Sequence, residues 1–293
     1  MAAIVLLVLK ASIVLSVFAI GLKATFADAT FLFRRPDQLA RAWLSMSVVM
    51  PLFALTLVLL FNLHPAIQIA LIAISVSPIP PIFPNKAFKA GGEENYTIGL
   101  LVGTAAVSVI VIPVATELVE RIVGIPLEMR ARTVAWTVMT TIFLPLLLGI
   151  IVRALAPKLA DRLAKPLAII SLALLILSAL PVLVGMTRPM FSLIGDGTLL
   201  SFTAFGVVGF VAGHLLGGPG PANRPILALA TATRHPAVAL GIAHANFPNQ
   251  QLAVPAVFLY LMVVAVLSVL YLKWAKRHEV VHTAAETKHA VKA

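Results

Sequence analysis

Apolar residues in this chain come in runs of about twenty, separated by short polar breaks, and that spacing limits the fold more than any single residue does. A helix needs ~20 apolar residues to cross ~30 Å of hydrocarbon. Inside lipid every backbone polar group must also be satisfied by the protein itself. With 60% of its 293 residues hydrophobic and 11% charged, the chain reads as an all-α polytopic membrane protein. Soluble classes are excluded. The absence of cysteine removes disulfides, thiol nucleophiles and thiolate metal sites.

The hydropathy predicts nine spans, at about 3–24, 40–62, 65–90, 96–120, 132–154, 164–187, 196–217, 224–246 and 251–273. The first run contains Lys10 and lacks a basic start and a clear cleavage site, so it reads as a retained span. An odd count puts the termini on opposite sides. With the N-terminus outside, the inner segments hold 16 Lys and Arg and the outer segments hold only Arg121, Arg130, Arg132 and Arg188. Basic residues stay cytoplasmic, which gives an N-out, C-in protein of the inner (plasma) membrane. The net charge of +11 is then a topology signal and calls for no nucleic acid. Residues 274–293 read as a frayed helix end running into a disordered cytoplasmic tail.

The third span carries SVSPIPPIFPNKAFKAGG, with Pro78, Pro80, Pro81 and Pro84 within seven residues. Each proline removes a donor, so carbonyls such as those of Ile74, Val76, Ser77 and Pro80 lose their helical partners. Such an unwound stretch must be buried in protein or line a watery cavity. Asn85 stands at the expected start of a second half-helix, whose unpaired N–H groups attract anions. The eighth span carries ATATRHPAVAL, where Pro236 frees the carbonyl of Ala232 and interrupts the helix more gently. Two interrupted spans, one in each half of the chain, point to a carrier site between inverted repeats. Spans one to four would match spans six to nine, pairing the third with the eighth.

Arg234 at mid-span costs ~2.5–3.5 kcal/mol on insertion scales, so it needs a compensating partner or task. A structural bond to freed carbonyls and a place at the substrate or coupling site can coexist. Lys86 could snorkel to the cytoplasmic face or serve the site. His235 could couple protons or sit as a satisfied core histidine. Thr231 and Thr233 flank the break and could bond substrate or backbone, while Ser75, Ser77 and Thr104 are weaker candidates. His214, near a span end, reads as structural. Gly99 and Gly103, one turn apart, permit close packing. Spans three and eight contain no interior Asp or Glu, which argues against an intramembrane enzyme.

At these residues the chain resembles the bile acid:sodium symporter family. FAIGLKATFADATFLFRRP is similar to that family's early helix and amphipathic exit, SMSVVMP to the following span, and FPNKAFKAGG to the first crossing-helix motif. GHLLG resembles the segment before the second crossing motif, and ATATRHPAVALGIA resembles that motif itself. The resemblance implies two crossed, broken helices in a core domain that moves against a panel domain. Mapped here, the panel would be 1–24 with 132–187 and the core 40–120 with 196–273. The nine-span form lacks the first helix of ten-span members.

The resemblance also implies where sodium ligands would stand, and there the sequence departs. The usual Glu and Gln-Asn of the second crossing motif are Ala230, Arg234 and His235. The usual Gln five residues before the early core proline is Met46. The Ser-Asn pair is Pro84-Asn85, followed by Lys86, and a downstream Ser and Thr are Ser108 and Ile112. Only Asn85 and Ser108 remain as oxygen ligands. Hard cations want several oxygens, preferably with a carboxylate, and cationic neighbours repel them. The expectation is therefore a sodium-independent carrier of a carboxylate-bearing organic anion, with Arg234 and Lys86 in place of bound cations. No cofactor or metal is expected, although a coupled proton is possible, and the oligomeric state is left open. A proton-coupled or uniporting exporter of the same fold is the alternative, with an anion channel behind it.

Overall fold

The structure is a computed structural model that describes residues 2–80, 83–84, 87, 93–123, 136, 138–218, 220–247 and 249–290. Among them there are helices and connections but no strand. We number the α-helices α1 (Ala2–Gly21), α2 (Phe26–Ala29), α3 (Pro36–Trp43), α4 (Met50–Leu60), α5 (Pro65–Val76) and α6 (Glu94–Val123). Then come α7 (Leu144–Leu155), α8 (Pro157–Ser192), α9 (Thr198–Leu216), α10 (Asn223–Ala232), α11 (Pro236–Asn246) and α12 (Ala253–Ala290).

Among the described residues, five helical stretches are long and apolar enough to cross a bilayer unaided: Pro36–Leu60, Glu94–Ala115, Pro157–Ser192, Thr198–Leu216 and Ala253–Arg277. Leu7–Gly21, Pro65–Val76 and Met139–Leu155 are apolar but shorter. The difference from the expected nine has local causes. The third and eighth spans are each split by proline, and part of the expected fifth, residues 132–135 and 137, lies outside the described residues. At the C-terminus α12 continues to Ala290, where the sequence suggests disorder. No proline or glycine after Pro255 interrupts it.

Between α1 and the bundle runs an amphipathic exit. A Thr25–Asp28 capping box starts α2, with the Thr25 N–H donating to Asp28 at 2.7 Å and the Asp28 N–H to Thr25 at 3.2 Å. The following 3-10 turn, Phe31–Arg34, packs under α6 where Gly99 and Gly103 leave room. A Cβ on Gly99 would meet the Phe31 Cβ at 3.1 Å and one on Gly103 the Leu39 Cδ1 at 3.1 Å, so the close packing read from these glycines is present.

The largest cluster of buried residues joins α4, α5, α9, α10 and α12. In it, α9 lies backbone to backbone on α10. The helix carries Gly213, where a Cβ would stand 2.5 Å from the Ala228 Cα, and ends at Gly217, where one would stand 2.5 Å from the Arg224 Cα. The GHLLG stretch is thus a small-residue seam that admits a neighbouring main chain. α1 packs instead on α7 and α8.

Candidate functional site

Both helix breaks meet at one point. Helix α5 stops at Val76, and Ser77 is extended (φ −71°, ψ 146°) as the chain enters its proline run. Residues 83, 84 and 87 are helical again, so Pro78 and Pro80 lie in the unwound stretch and Pro84 in the resumed helix. Pro81, Asn85 and Lys86 lie outside the described residues. On the other side α10 stops at Ala232, Thr233 and His235 are extended, and Pro236 opens α11. Proline disfavours the α region for its predecessor, in keeping with the extended His235 (φ −72°, ψ 105°). The interruption is therefore three non-helical residues, 233–235, rather than the gentle kink expected from one proline. The two unwound stretches touch where the His235 N–H donates to the Pro78 carbonyl at 2.8 Å.

Several of the freed carbonyls have identifiable partners. That of Ile74 accepts from the Ser77 N–H at 3.1 Å and that of Pro80 from the Phe83 N–H at 2.9 Å. The Ala232 carbonyl accepts from the Tyr260 hydroxyl of α12 at 2.7 Å. The Ser77 carbonyl accepts from Nη1 of Arg234 at 3.0 Å, a bond that crosses from one break to the other. Satisfaction inside the protein is what an unwound segment at membrane depth requires. Tyr260→Phe should accordingly leave the Ala232 carbonyl buried and unpaired, lowering stability by about 1–3 kcal/mol. Thermal unfolding of purified protein in detergent measures this, and an unchanged midpoint would contradict it.

The second arm of Arg234 reaches a third element. Nη2 donates to the carbonyl of Met46, within the π-helical turn Leu44–Val49 that precedes α4. A π turn passes the carbonyl of residue i to the N–H of residue i+5. For Met46 that residue is Pro51, which has no N–H. One guanidinium fork therefore joins two carbonyls that prolines have stripped of donors, and Arg234 is 3% exposed in doing so. The bond from Arg234 to a carbonyl freed by the third-span prolines, one of the two readings of this residue, is present.

Beside this fork lies a cavity of about 20 Å³, room for about one water, with Met46, Ser47, Ser77, Thr104, Ser108 and Arg234 in its wall. Ser108 donates its hydroxyl proton to the Ala105 carbonyl at 2.7 Å and Thr104 to the Leu100 carbonyl at 2.6 Å. Both hydroxyls thus keep lone pairs for an incoming donor. Among the described residues, the Nε of Arg234 and both ring nitrogens of His235 are buried without a hydrogen-bond partner. The arrangement offers a fixed cation, unused polar capacity and oxygen acceptors.

The other sequence candidates are tied into the scaffold. The Thr231 hydroxyl lies 3.0 Å from that of Ser45, which donates to the Ala42 carbonyl. Thr233 turns its hydroxyl back onto the Leu229 carbonyl at 2.6 Å. Among the described residues, no three His, Asp or Glu stand together as a metal site. Sequence reasoning missed three contributors: the Met46 carbonyl, Ser45 and Tyr260. The first had a signal in Pro51 five residues on, and the last in a phenol amid an apolar span. Ser45 had none.

The sequence model of the Sodium Bile acid symporter family matches residues 11–190. The match takes in the first break and the Met46 turn and ends before α9. No curated protein matches the chain.

Proposed function

Because the chain belongs to the sodium bile acid symporter family, and so is a multi-pass membrane transporter of that kind, we propose that it carries a carboxylate-bearing organic anion by alternating access without sodium. One observation supports this above the others: the Arg234 guanidinium bridges the Ser77 and Met46 carbonyls at the contact between the breaks. The resemblance implies cations held by acid and amide side chains in this region. Here a covalently fixed cation links the same elements, and Ala230 supplies no acid.

In this reading nine spans form inverted repeats whose third and eighth members cross. The packing of α1 on α7 and α8 supports a panel of 1–24 and 132–187, moving against a core of 40–120 and 196–273. The chain sits in the plasma membrane, N-terminus out and C-terminus in, as the basic residues suggest. Asn85, Lys86 and Arg234 would serve the substrate carboxylate, and Ser108 would accept from a donor elsewhere on the substrate. The unpartnered ring of His235 favours one second reading, in which a proton is the coupled ion.

Proteoliposomes loaded with the purified chain and offered a radiolabelled bile acid or smaller carboxylates test these readings. Uptake is expected to be equal with sodium or choline outside, within a factor of about two, where a sodium-coupled carrier would lose most of its flux. Sodium-dependent uptake would overturn the proposal. A pH gradient imposed alone separates proton coupling from uniport.

A further inference from the structure

Away from the breaks, α9 and α12 enclose a second space. Their contacts advance together along both helices: a Cβ on Gly206 would meet the Leu267 Cδ1 at 2.7 Å, Phe210 stacks on Tyr271 with centroids 4.8 Å apart, and His214 meets Trp274 at 5.3 Å. Steps of about one turn in the same direction on both mean that the two helices run parallel. Beside these contacts lies an open groove of about 460 Å³, within the ~300–1,000 Å³ of ligand sites.

The groove is apolar along its length and carries polar-tipped rings toward one end. Val207, Val211 and Leu215 of α9 and Leu270 of α12 form an apolar trough open to the outside of the bundle, with Leu215 73% and Leu270 58% exposed. Toward the helix C-termini it closes on polar-tipped rings. Nδ1 of His214 lies 2.7 Å from the Tyr271 hydroxyl, and Trp274 stands beside both. Rings with an apolar body and a polar tip belong at the membrane–water boundary. On α12, Arg277 follows one turn past Trp274 on the same face, and Lys273, Lys276 and Arg277 are all exposed. Neither Thr198–Leu216 nor Ala253–Arg277 contains an acid. Arg224 adds a cation at the end of α9, bonded through Nε to the Gly218 carbonyl at 3.1 Å.

We propose that this groove binds one anionic glycerophospholipid, an acyl chain lying in the trough and the phosphate meeting Arg277 and Lys273 beside the His214–Tyr271–Trp274 cluster. The inference rests on the chain spanning a bilayer but not on the sodium or substrate reading. Charge complementarity selects this occupant: a net-negative headgroup is matched by cations at one end only, and a second copy of this chain would present its own cations there. A basic juxtamembrane segment attracts the anionic leaflet in general. The groove adds a place where a particular lipid is retained.

Native mass spectrometry of the full chain, delipidated and then offered equimolar phosphatidylglycerol and phosphatidylethanolamine, tests the proposal. One equivalent of phosphatidylglycerol should be retained in preference to phosphatidylethanolamine. Lys273→Ala and Arg277→Ala should each weaken that retention about fivefold without affecting phosphatidylethanolamine. Both residues are exposed, so these variants keep the fold. Val211→Trp with Leu215→Trp, which fills the trough, should abolish retention of either lipid. Equal retention of the two lipids, or insensitivity to the charge variants, would overturn the proposal. So would a dimer that the tryptophans dissociate, because a second copy would then occupy the groove.

Discussion

Arg234→Leu is expected to lower the thermal unfolding midpoint by several degrees and to reduce organic-anion flux by at least about tenfold. The substitution strips donors from the buried carbonyls of Ser77 and Met46. Each unpaired acceptor costs about 1–3 kcal/mol. Leucine also relieves the burial of a cation, worth about 2.5–3.5 kcal/mol on insertion scales. That relief is only partly felt, because the unfolded helix also carries the arginine in the bilayer and lets it snorkel. The net loss is therefore about 1–3 kcal/mol. Arg234→Lys separates charge from shape. An ammonium keeps the charge but lacks a planar fork that spans two carbonyls at once. If fixed charge is what transport needs, the lysine variant keeps part of its flux while its stability falls. If the fork alone matters, both readouts fall together. Full flux in the leucine variant would remove Arg234 from the site.

A larger structural effect is expected from Gly149→Val. Gly149 of α7 faces Gly21 at the end of α1, and a Cβ at 149 would stand 2.6 Å from the Phe18 carbonyl oxygen and 2.7 Å from the Gly21 Cα. Both neighbours are backbone, so no side chain can turn aside and α1 itself must move. Overpacking of this kind costs about 1–3 kcal/mol and occasionally more, and a β-branched residue against a main chain belongs at the upper end. The measurement is the fraction of monodisperse protein recovered by size exclusion, with the unfolding midpoint of what remains. Gly185→Ala is the control. A Cβ there meets nothing within 4 Å, and alanine within α8 should gain up to about 1 kcal/mol. Equal recovery of the valine variant and wild type would refute the close approach of α1 and α7.

Much of this was legible in the sequence, and the reasons differ from residue to residue. The all-helical class follows from apolar length, which depends on composition alone. The first break was legible because four prolines in seven residues leave no helical alternative. The second was underestimated. A single Pro236 predicts one lost hydrogen bond, whereas the structure shows three non-helical residues held by the His235–Pro78 bond and the Arg234 fork. Those partners are more than 150 residues away in the chain, and no local pattern encodes them. The need of Arg234 for a carbonyl partner could be foreseen, but the choice of Met46 could not. It depends on a π turn, which is set by tertiary packing and by Pro51 together. Thr231 and Thr233 were singled out for their polar atoms, yet a hydroxyl satisfied by Ser45 or by its own helix looks identical in sequence to one awaiting a ligand.

The fork on Arg234 has a consequence for how such a site is inherited. Its acceptors are main-chain oxygens, so replacing the side chain of Met46 or Ser77 removes neither of them. What specifies the location of the charge is instead the pair of positions whose nitrogen carries no hydrogen, Pro51 five residues after Met46 and Pro81 four residues after Ser77. The side chains around the cation can drift to suit a new cargo while its anchor is untouched. Exchanging one of those imino acids would offer its carbonyl a competing main-chain donor while leaving both acceptors in place.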